Sequence, residues 1–310
     1  ALAGLDAPIV VVPPGEASKS LARAERLFAA AQRHALPRDG FILAFGGGVI
    51  GDLAGFVAAT WQRGVPLVMV PTTLLAQVDS AVGGKVAVNF GGVKNNVGAF
   101  HQPVLVVSDT RLLATLPARE FRSALAEIVK YGMIADARLL GRIERDADAL
   151  LAGEPELLAG LVADCCRIKA RIVEQDEREA GPRAFLNYGH TLGHALEAAA
   201  AGRLRHGEAV ALGMRGAGRL GVELGYLTPR ELERQDRLLD RLGLPRRAEG
   251  LTLASVQAKI KWDKKVRDGQ PRFVLTCGIG SASVAPPIDA GRVRRALAAL
   301  IGQPTRVQRT

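Results

Sequence analysis

Three of the chain's five histidines crowd into one short stretch: NYGHTLGHALE carries His190 and His194, and RHGE adds His206. On a helix, i, i+4 spacing puts His190 and His194 on one face, where two imidazoles can hold a metal ion or form a proton relay. Glu127 offers a third ligand, because it interrupts the otherwise apolar LAEIVKYG, where a lone charge is costly to bury without a partner. Lys130 follows three residues later on the same face. The protease pattern H-E-x-x-H is not met, since Thr191 stands where its glutamate belongs. The same groups also read as satisfied helix polar residues without a metal.

A second concentration of chemistry lies earlier. Gly46-Gly47-Gly48-Val49-Ile50-Gly51-Asp52 fits G-x-G-x-x-G after an apolar run and before a helix-like stretch, a place where bare backbone can approach a pyrophosphate. The acidic residue that dinucleotide folds carry about 20 positions later is absent, with VMVPTT in its place. On this evidence a structural tight turn and a nucleotide site both remain open. The segment from Asp79 through Val82-Gly83-Gly84-Lys85 to Asn89, followed by Lys94-Asn95-Asn96, gathers lysines, amides and glycines into a loop suited to an oxyanion. It is not a P-loop, which would need Gly at Asp79 and a hydroxyl at Val86. A solvated basic loop is the plainer reading.

These residues need a scaffold. FILAF, GGGVIGD, DLAGFVAATWQR and VPLVMV read as strand, turn, helix and strand across Gly40 to Val70. Such a βαβ unit implies a parallel sheet with ligands beyond the carboxyl ends of its strands. VLVVSD, Val104 to Asp109, reads as another strand of that sheet. From about Thr110 the apolar period becomes about 3.6, as in SALAEIVKYGMI and LLAGLVADCCRIKARIVEQDE, so the second half is expected to be helical. RFVLTCGIGSASV is expected to return as a hairpin. Ile9 to Val12 reads as a strand, and the few residues before it are too short for the opening units of a doubly wound sheet, so those first elements are expected to be missing.

At 310 residues, 48% hydrophobic and 23% charged, the chain can bury a sizeable core and reads as two domains. No uncharged apolar run reaches about 18 residues and the opening lacks signal-peptide order, which points to a cytoplasmic protein with no membrane role. Its three cysteines, Cys165, Cys166 and Cys277, make neither a disulfide framework nor a CxxC knuckle. The net charge of +10 favours anionic partners. With 5% aromatics and basic residues spread along the chain, no nucleic-acid platform stands out, and charge alone does not decide between nucleic acid and a phosphorylated sugar. Arginines in RELERQDRLLDRLGLPRR read as solvating helix faces.

Taken in order, FGGGVIGDLAGFVAATWQRGVP, VPTTLLAQVDSAVGGKVAVN, VKNNVGAFHQP, TLPAREFRSALAEIVKYG, LNYGHTLGHALE, RHGEAVALGM and DKKVRDG resemble the 3-dehydroquinate synthase family of sugar phosphate cyclases over nearly the whole chain. The resemblance implies an α/β Rossmann-like NAD-binding domain over 1–110 and a mainly α-helical metal- and substrate-binding domain over 111–310. It also implies a homodimer with one NAD and one divalent metal, usually zinc with cobalt as the alternative, per subunit. The metal ligands by this resemblance are Glu127, His190 and His206, while His194 faces the substrate and its proton transfers. Lys130, Lys169, Arg183, Asn187 and Lys264 match positions around the substrate, as do Asp79, Lys85 and Asn95, and Arg63 matches an arginine that reaches the neighbouring subunit's substrate phosphate. For NAD the matching positions are Glu16, Ala17, Ser18 and Lys19, then Gly47, Gly48, Val49 and Asp52. Thr72, Thr73, Asp79, Lys85, Lys94, Thr115, Leu116 and Glu120 complete them.

The implied reaction takes a heptulosonate phosphate to 3-dehydroquinate and phosphate, in the shikimate route to aromatic amino acids, with NAD reduced and restored in each turnover. Two features depart from the family pattern: Val86 stands where Thr follows the loop lysine, and Phe90-Gly91-Gly92 replaces a His-Pro before the Lys-Asn pair. They keep open a sister cyclase such as 2-deoxy-scyllo-inosose, valiolone or amino-dehydroquinate synthase. His194, Arg183, Lys264 and the HGE block favour the carboxylate-bearing shikimate substrate. A metal-dependent polyol dehydrogenase shares the two-domain plan, but a neutral polyol does not call for the lysine loop.

Overall fold

The computed structural model describes residues 7–260, 266–267 and 270–302, and the chain divides into two compact units, Ala1–Leu116 and Pro117–Thr310. In the first, a 3₁₀ turn at Glu16–Ser18 precedes α1 (Leu21–Arg33), capped by the Ser20 side chain accepting from the Arg23 amide. Next come β1 (Ile42–Gly46), α2 (Gly48–Thr60), β2 (Leu67–Pro71), β3 (Lys85–Phe90), β4 (Val93–Phe100) and β5 (Leu105–Val106). β1 pairs with β2 in parallel, from Ile42 opposite Leu67 to Gly46 opposite Pro71, and β5 takes the other side of β2, for an order β1-β2-β5. The apolar run of β2 fits its place in the middle of this sheet, and Ala44, Leu67 and Met69 share a core with Ala58 of α2 and Val86 of β3.

Three expectations need correction. Helix α2 begins at Gly48, inside the glycine run, with Gly47 as its N-cap. The lysine-bearing loop is largely a hairpin: β3 and β4 pair antiparallel around Gly91-Gly92. Both glycines have positive φ, 59° and 74°, the combination that a two-residue hairpin turn matching strand twist requires. Alternation in KVAVNF puts Val86 and Val88 inward and leaves Lys85 exposed. Ile9 to Val12 forms no strand, because no strand among the described residues pairs with it.

The second unit is helical, as its apolar period predicts. It runs through α3 (Ala118–Ile134), α4 (Ala137–Arg145), α5 (Ala147–Leu151), α6 (Pro155–Gln175), α7 (His190–Ala200), α8 (His206–Glu223), α9 (Pro229–Arg241) and α10 (Leu253–Ile260). Two short hairpins follow, β6 (Val266–Arg267) with β7 (Gln270–Pro271) and β8 (Val274–Thr276) with β9 (Ala282–Val284), and α11 (Ala290–Ala298) comes last. The second hairpin is the one read from RFVLTCGIGSASV. Helix α9 starts at a capping box, Thr228 with Glu231, and buries only Gln235, Leu238 and Leu239; its arginines do not simply solvate an outer face, since Arg234 pairs with Glu144 of α4 and Arg241 with Asp148 of α5. Among the described residues no helix is long and apolar enough to cross a membrane.

Helix α8 is the centre of this unit, buried on every side from Ala209 to Gly218. It lies backbone to backbone against its neighbours. A Cβ on Gly207 would sit 1.8 Å from the Ser123 carbonyl oxygen of α3, and one on Gly213 would sit 1.8 Å from the Gly189 carbonyl oxygen before α7. Only a residue without a side chain allows α8 so close to the helices that carry Glu127 and His190.

Candidate active site

Glu127 stands within α3 with no exposed surface, while His190 and His206 are the first residues of α7 and α8. Ligand-capable atoms of the three lie within 4.8 Å of one another. Glu127 Oε1 is 3.4 Å from His190 Nε2 and 3.5 Å from His206 Nε2, and Oε2 pairs with the Lys130 ammonium. The outer ring nitrogens are engaged: His190 Nδ1 is 3.1 Å from the Tyr188 carbonyl oxygen and His206 Nδ1 is 3.0 Å from Glu197 Oε2. An acceptor at Nδ1 holds a proton there and makes Nε2, which faces Glu127, the atom left to ligate a metal. Two imidazole nitrogens and one carboxylate oxygen form the donor set of a catalytic divalent metal, with positions left for water or substrate. The residues fit the ion that the resemblance implies.

His194 departs from the spacing expectation. Its ring centroid is 5.2 Å from that of His190 and 5.8 Å from that of His206, yet it is outside the group that clusters with Glu127. One turn of α7 carries it about 6 Å further along the axis, and His206 arrives from the next helix instead. Glu197 was not singled out from the sequence, although its place seven residues after His190 puts it on the same helix face. Substituting Glu197→Gln is expected to weaken metal binding about 10–100-fold, the usual cost of losing an outer partner of a ligating histidine. A chelator competition titration that returns wild-type affinity removes Glu197 from this role.

The site draws positive charge even without a metal. Burial lowers the His206 pKa, but hydrogen bonds and charge from Glu127 and Glu197 outweigh it and raise the value from 6.5 to about 10. A histidine raised on folding stabilises the native state fully below its unfolded pKa, and that contribution fades as pH rises through the folded value. Metal-free protein is therefore expected to lose stability from pH 6.5 to about 10, while metal-loaded protein, whose cation replaces the proton, holds steadier. Parallel melting curves in chelator and in zinc check this, and a flat metal-free profile would contradict it.

Three buried cations accompany the site residues in this unit: Lys130 on α3, Lys169 on α6 and Arg183 in the 3₁₀ turn Pro182–Asn187. The two helices and the turn pack on one another. Asp176, at the end of α6, accepts backbone N–H groups of Ala180, Gly181 and Arg183 at 2.9, 2.7 and 3.1 Å, which folds this turn back. Arg183 donates to the Glu177 carbonyl, and Asn187 Nδ2 donates to Glu179 Oε1 at 2.6 Å. Buried cations at such density suit a substrate with more than one negative charge. Lys264 lies outside the described residues.

In the first unit, Lys19 is buried and bonds both Asp52 of α2 and Asn95 of β4. Asn89 ties the rest together, accepting from the Asn95 amide at 2.9 Å, donating its own amide to the Lys19 carbonyl at 2.9 Å and its Nδ2 to Glu16 Oε1 at 2.8 Å. The sequence placed Asn89 among the amide donors of an oxyanion loop, whereas its amides tie that segment to Glu16 and Lys19. The stretch Glu16, Ala17, Ser18 and Lys19 is thereby laced to α2 and the hairpin. Gly47 and Gly48 open α2 beside Thr73 and Ser80, while the Thr72 amide donates to the Gly46 carbonyl at 3.0 Å. Val49 belongs to the same first turn, whose amides form an anion-binding end at the carboxyl edge of the sheet. Asp79 lies in the Ala76–Ser80 turn, and Lys85, Lys94 and Asn95 are exposed on the hairpin. Thr115 and Leu116 end this unit, Glu120 lies in the first turn of α3 paired with Arg205 at 2.8 Å, and Arg63 is exposed after α2.

Comparison with known proteins agrees over most of the chain. Residues 9–123 match the family model of the 3-dehydroquinate synthase N-terminal region and residues 124–266 that of the C-terminal region. The 3-dehydroquinate synthase of Symbiobacterium thermophilum is 48% identical over 300 residues, which are 96% of this chain and 84% of that protein. The 2-epi-5-epi-valiolone synthase of Streptomyces hygroscopicus subsp. jinggangensis 5008, solved with NAD+ and Zn2+ bound, matches with a TM-score of 0.87 at 30% identity, covering 93% of this chain and 81% of that one. A 2-deoxy-scyllo-inosose synthase in complex with carbaglucose-6-phosphate, NAD+ and Co2+ gives 0.85 at 28% identity, over 92% of this chain and 80% of that one. With its Rossmann-like first half, its helical second half and sequence identity of this extent, the chain belongs to the 3-dehydroquinate synthase family.

Proposed function

We infer that the protein is a 3-dehydroquinate synthase, a lyase that converts 3-deoxy-D-arabino-heptulosonate 7-phosphate to 3-dehydroquinate and phosphate in the shikimate pathway. The observation that carries this is the Glu127, His190 and His206 group in a chain 48% identical to a 3-dehydroquinate synthase. The sister cyclases stand at 30% and 28%. Bound to these residues and to the first unit, a divalent cation supplies Lewis acidity and NAD a reversible two-electron oxidation of a sugar carbinol.

The protein's own groups do the rest. Glu127, His190 and His206 hold the cation, with Tyr188 and Glu197 orienting the imidazoles through Nδ1. His194, beside His190, takes and returns the proton of the reacting hydroxyl. Lys130, Lys169, Arg183, Asn187 and Lys264 bind and orient the substrate's carboxylate, phosphate and hydroxyls, together with Asp79, Lys85 and Asn95. The glycine turn at Gly47 and Gly48, with Val49, Asp52, Thr72, Thr73 and the Glu16 to Lys19 stretch, holds NAD, as do Lys94, Thr115, Leu116 and Glu120. The first unit is thus the nucleotide-binding domain and the second the metal- and substrate-binding domain. Zinc is the natural ion, and the enzyme works in the cytoplasm as a homodimer. Arg63, exposed at a φ of 67° and with no ion pair among the described residues, reaches the neighbouring subunit's phosphate site.

The test is to incubate the protein with the heptulosonate phosphate, NAD and zinc and to follow phosphate and NADH together. Phosphate release without stoichiometric NADH is the expected result, whereas lasting NADH accumulation marks a dehydrogenase and overturns the reading.

A further inference from the structure

Between α8 and α9 the second unit holds a cavity of about 540 Å³, none of whose lining residues belongs to the candidate active site. Arg215, Arg219 and Val222 face it from α8 at i, i+4 and i+7, and Leu232, Asp236 and Asp240 face it from α9 at i, i+4 and i+8. Arg246 and Arg247 follow α9 at one end. The wall carries five arginines against three carboxylates, the former being Arg215, Arg219, Arg237, Arg246 and Arg247.

The carboxylates are all spoken for. Arg215, buried, reaches Asp240 at 2.8 Å, Asp236 at 3.3 Å and the Pro245 carbonyl at 3.1 Å. Arg246 takes the other side of Asp240 at 2.6 Å, and Arg237 pairs with Glu233 at 3.5 Å. Among the described residues Arg219 and Arg247 make no ion pair, and the Arg219 Nη1 is buried without a hydrogen-bond acceptor. Arg219 is only partly buried and Arg247 is exposed, so both keep guanidinium donors that an entering anion can meet. Burial holds the Asp236 carboxyl above its ordinary value, against the opposing fields of Arg215 and Arg219. Val222, Pro229, Leu232 and Ala299 add an apolar patch.

We propose that this cavity is a second ligand site, taking a small organic oxyanion with a compact apolar body, with Arg219 and Arg247 as its charge partners. The guanidinium fork matches a carboxylate or a phosphate ester, and among the described residues neither arginine is held in an ion pair, although Asp236 acts on Arg219 at longer range. A cavity of this size accommodates a small metabolite.

The test uses the full chain loaded with NAD and zinc, with inorganic phosphate and benzoate as separate probes at millimolar concentration. Hydrogen exchange is expected to slow in peptides from Arg215 to Arg247 with at least one probe, and this protection is expected to vanish in the double variant R219Q/R247Q. Each single variant is expected to weaken the responding probe about tenfold, as loss of one charge-assisted hydrogen bond implies, with turnover unchanged. A melting curve of each variant confirms that it folds. A response to phosphate alone identifies a phosphate ester as the ligand class and a response to benzoate alone a carboxylate. Protection confined to other segments, protection that survives in the double variant, or no response to either probe overturns the proposal.

Discussion

Glu127→Gln is expected to lower turnover about a thousandfold and to leave the protein without its divalent cation. The magnitude follows from the several kcal/mol of transition-state stabilisation that a Lewis-acidic cation contributes, at about 1.4 kcal/mol per factor of ten. The glutamine keeps the shape but removes the charge on which both imidazole Nε2 atoms and the Lys130 ammonium converge. That leaves Lys130 buried beside an uncharged partner, so some stability is lost as well, and the melting temperature separates this from the effect on chemistry. Metal content by elemental analysis is the deciding measurement. A variant with wild-type metal content and activity would remove Glu127 from the ligand set, and His190→Ala puts the same question to the other side of the site.

The second large effect is expected at a residue with no chemistry. In Gly207→Ala the new Cβ lies 1.8 Å from the Ser123 carbonyl oxygen and 2.9 Å from its Oγ. Backbone cannot step aside as a flexible side chain can, so the start of α8 must lift from α3, and His206, one residue earlier, moves with it. The cost is expected at the upper end of overpacking, about 3 kcal/mol, which lowers the melting temperature by about 6–12 °C for a unit of this size. Metal affinity is expected to fall in parallel. Gly141→Ala is the control, because its Cβ would have 3.8 Å of room to the Arg234 side chain on an amphipathic helix, where alanine favours helix. Equal behaviour of the two variants would mean that the close approach does not set the site.

The βαβ unit was legible because FILAF, the glycine run and VPLVMV change period where the structure changes from β1 to α2 to β2. Helices α3 and α6 were legible for the same reason. The hairpin was missed since its glycines and lysines suggested a loop, although the Gly91-Gly92 pair between KVAVNF and VKNNVGAF was a turn signal in plain view. Ile9 to Val12 misled in the opposite direction: β-branched residues favour a strand, but a strand also needs an edge to pair with. At the site, helical spacing could see only one helix at a time. It joined His190 to His194, whereas the approach of His206 depends on Gly207 and Gly213 of its own helix, whose close packing on α3 and α7 no periodicity exposes. The resemblance, which carries tertiary information inside its motifs, named His206 together with Glu127 and His190.

That both histidines are the first residues of their helices has one more consequence. Every helix carries about half a positive charge at its amino end, and here α7 and α8, of 11 and 18 residues, both start at histidines of the group that could hold a metal. Two macrodipoles thus point their positive poles at a site meant for a cation, a repulsion that the carboxylates of Glu127 and Glu197 offset. A cation held by these residues would lose electron density from the imidazoles to those poles and gain acidity. The same helix ends would favour a negative oxygen over a neutral hydroxyl beside it.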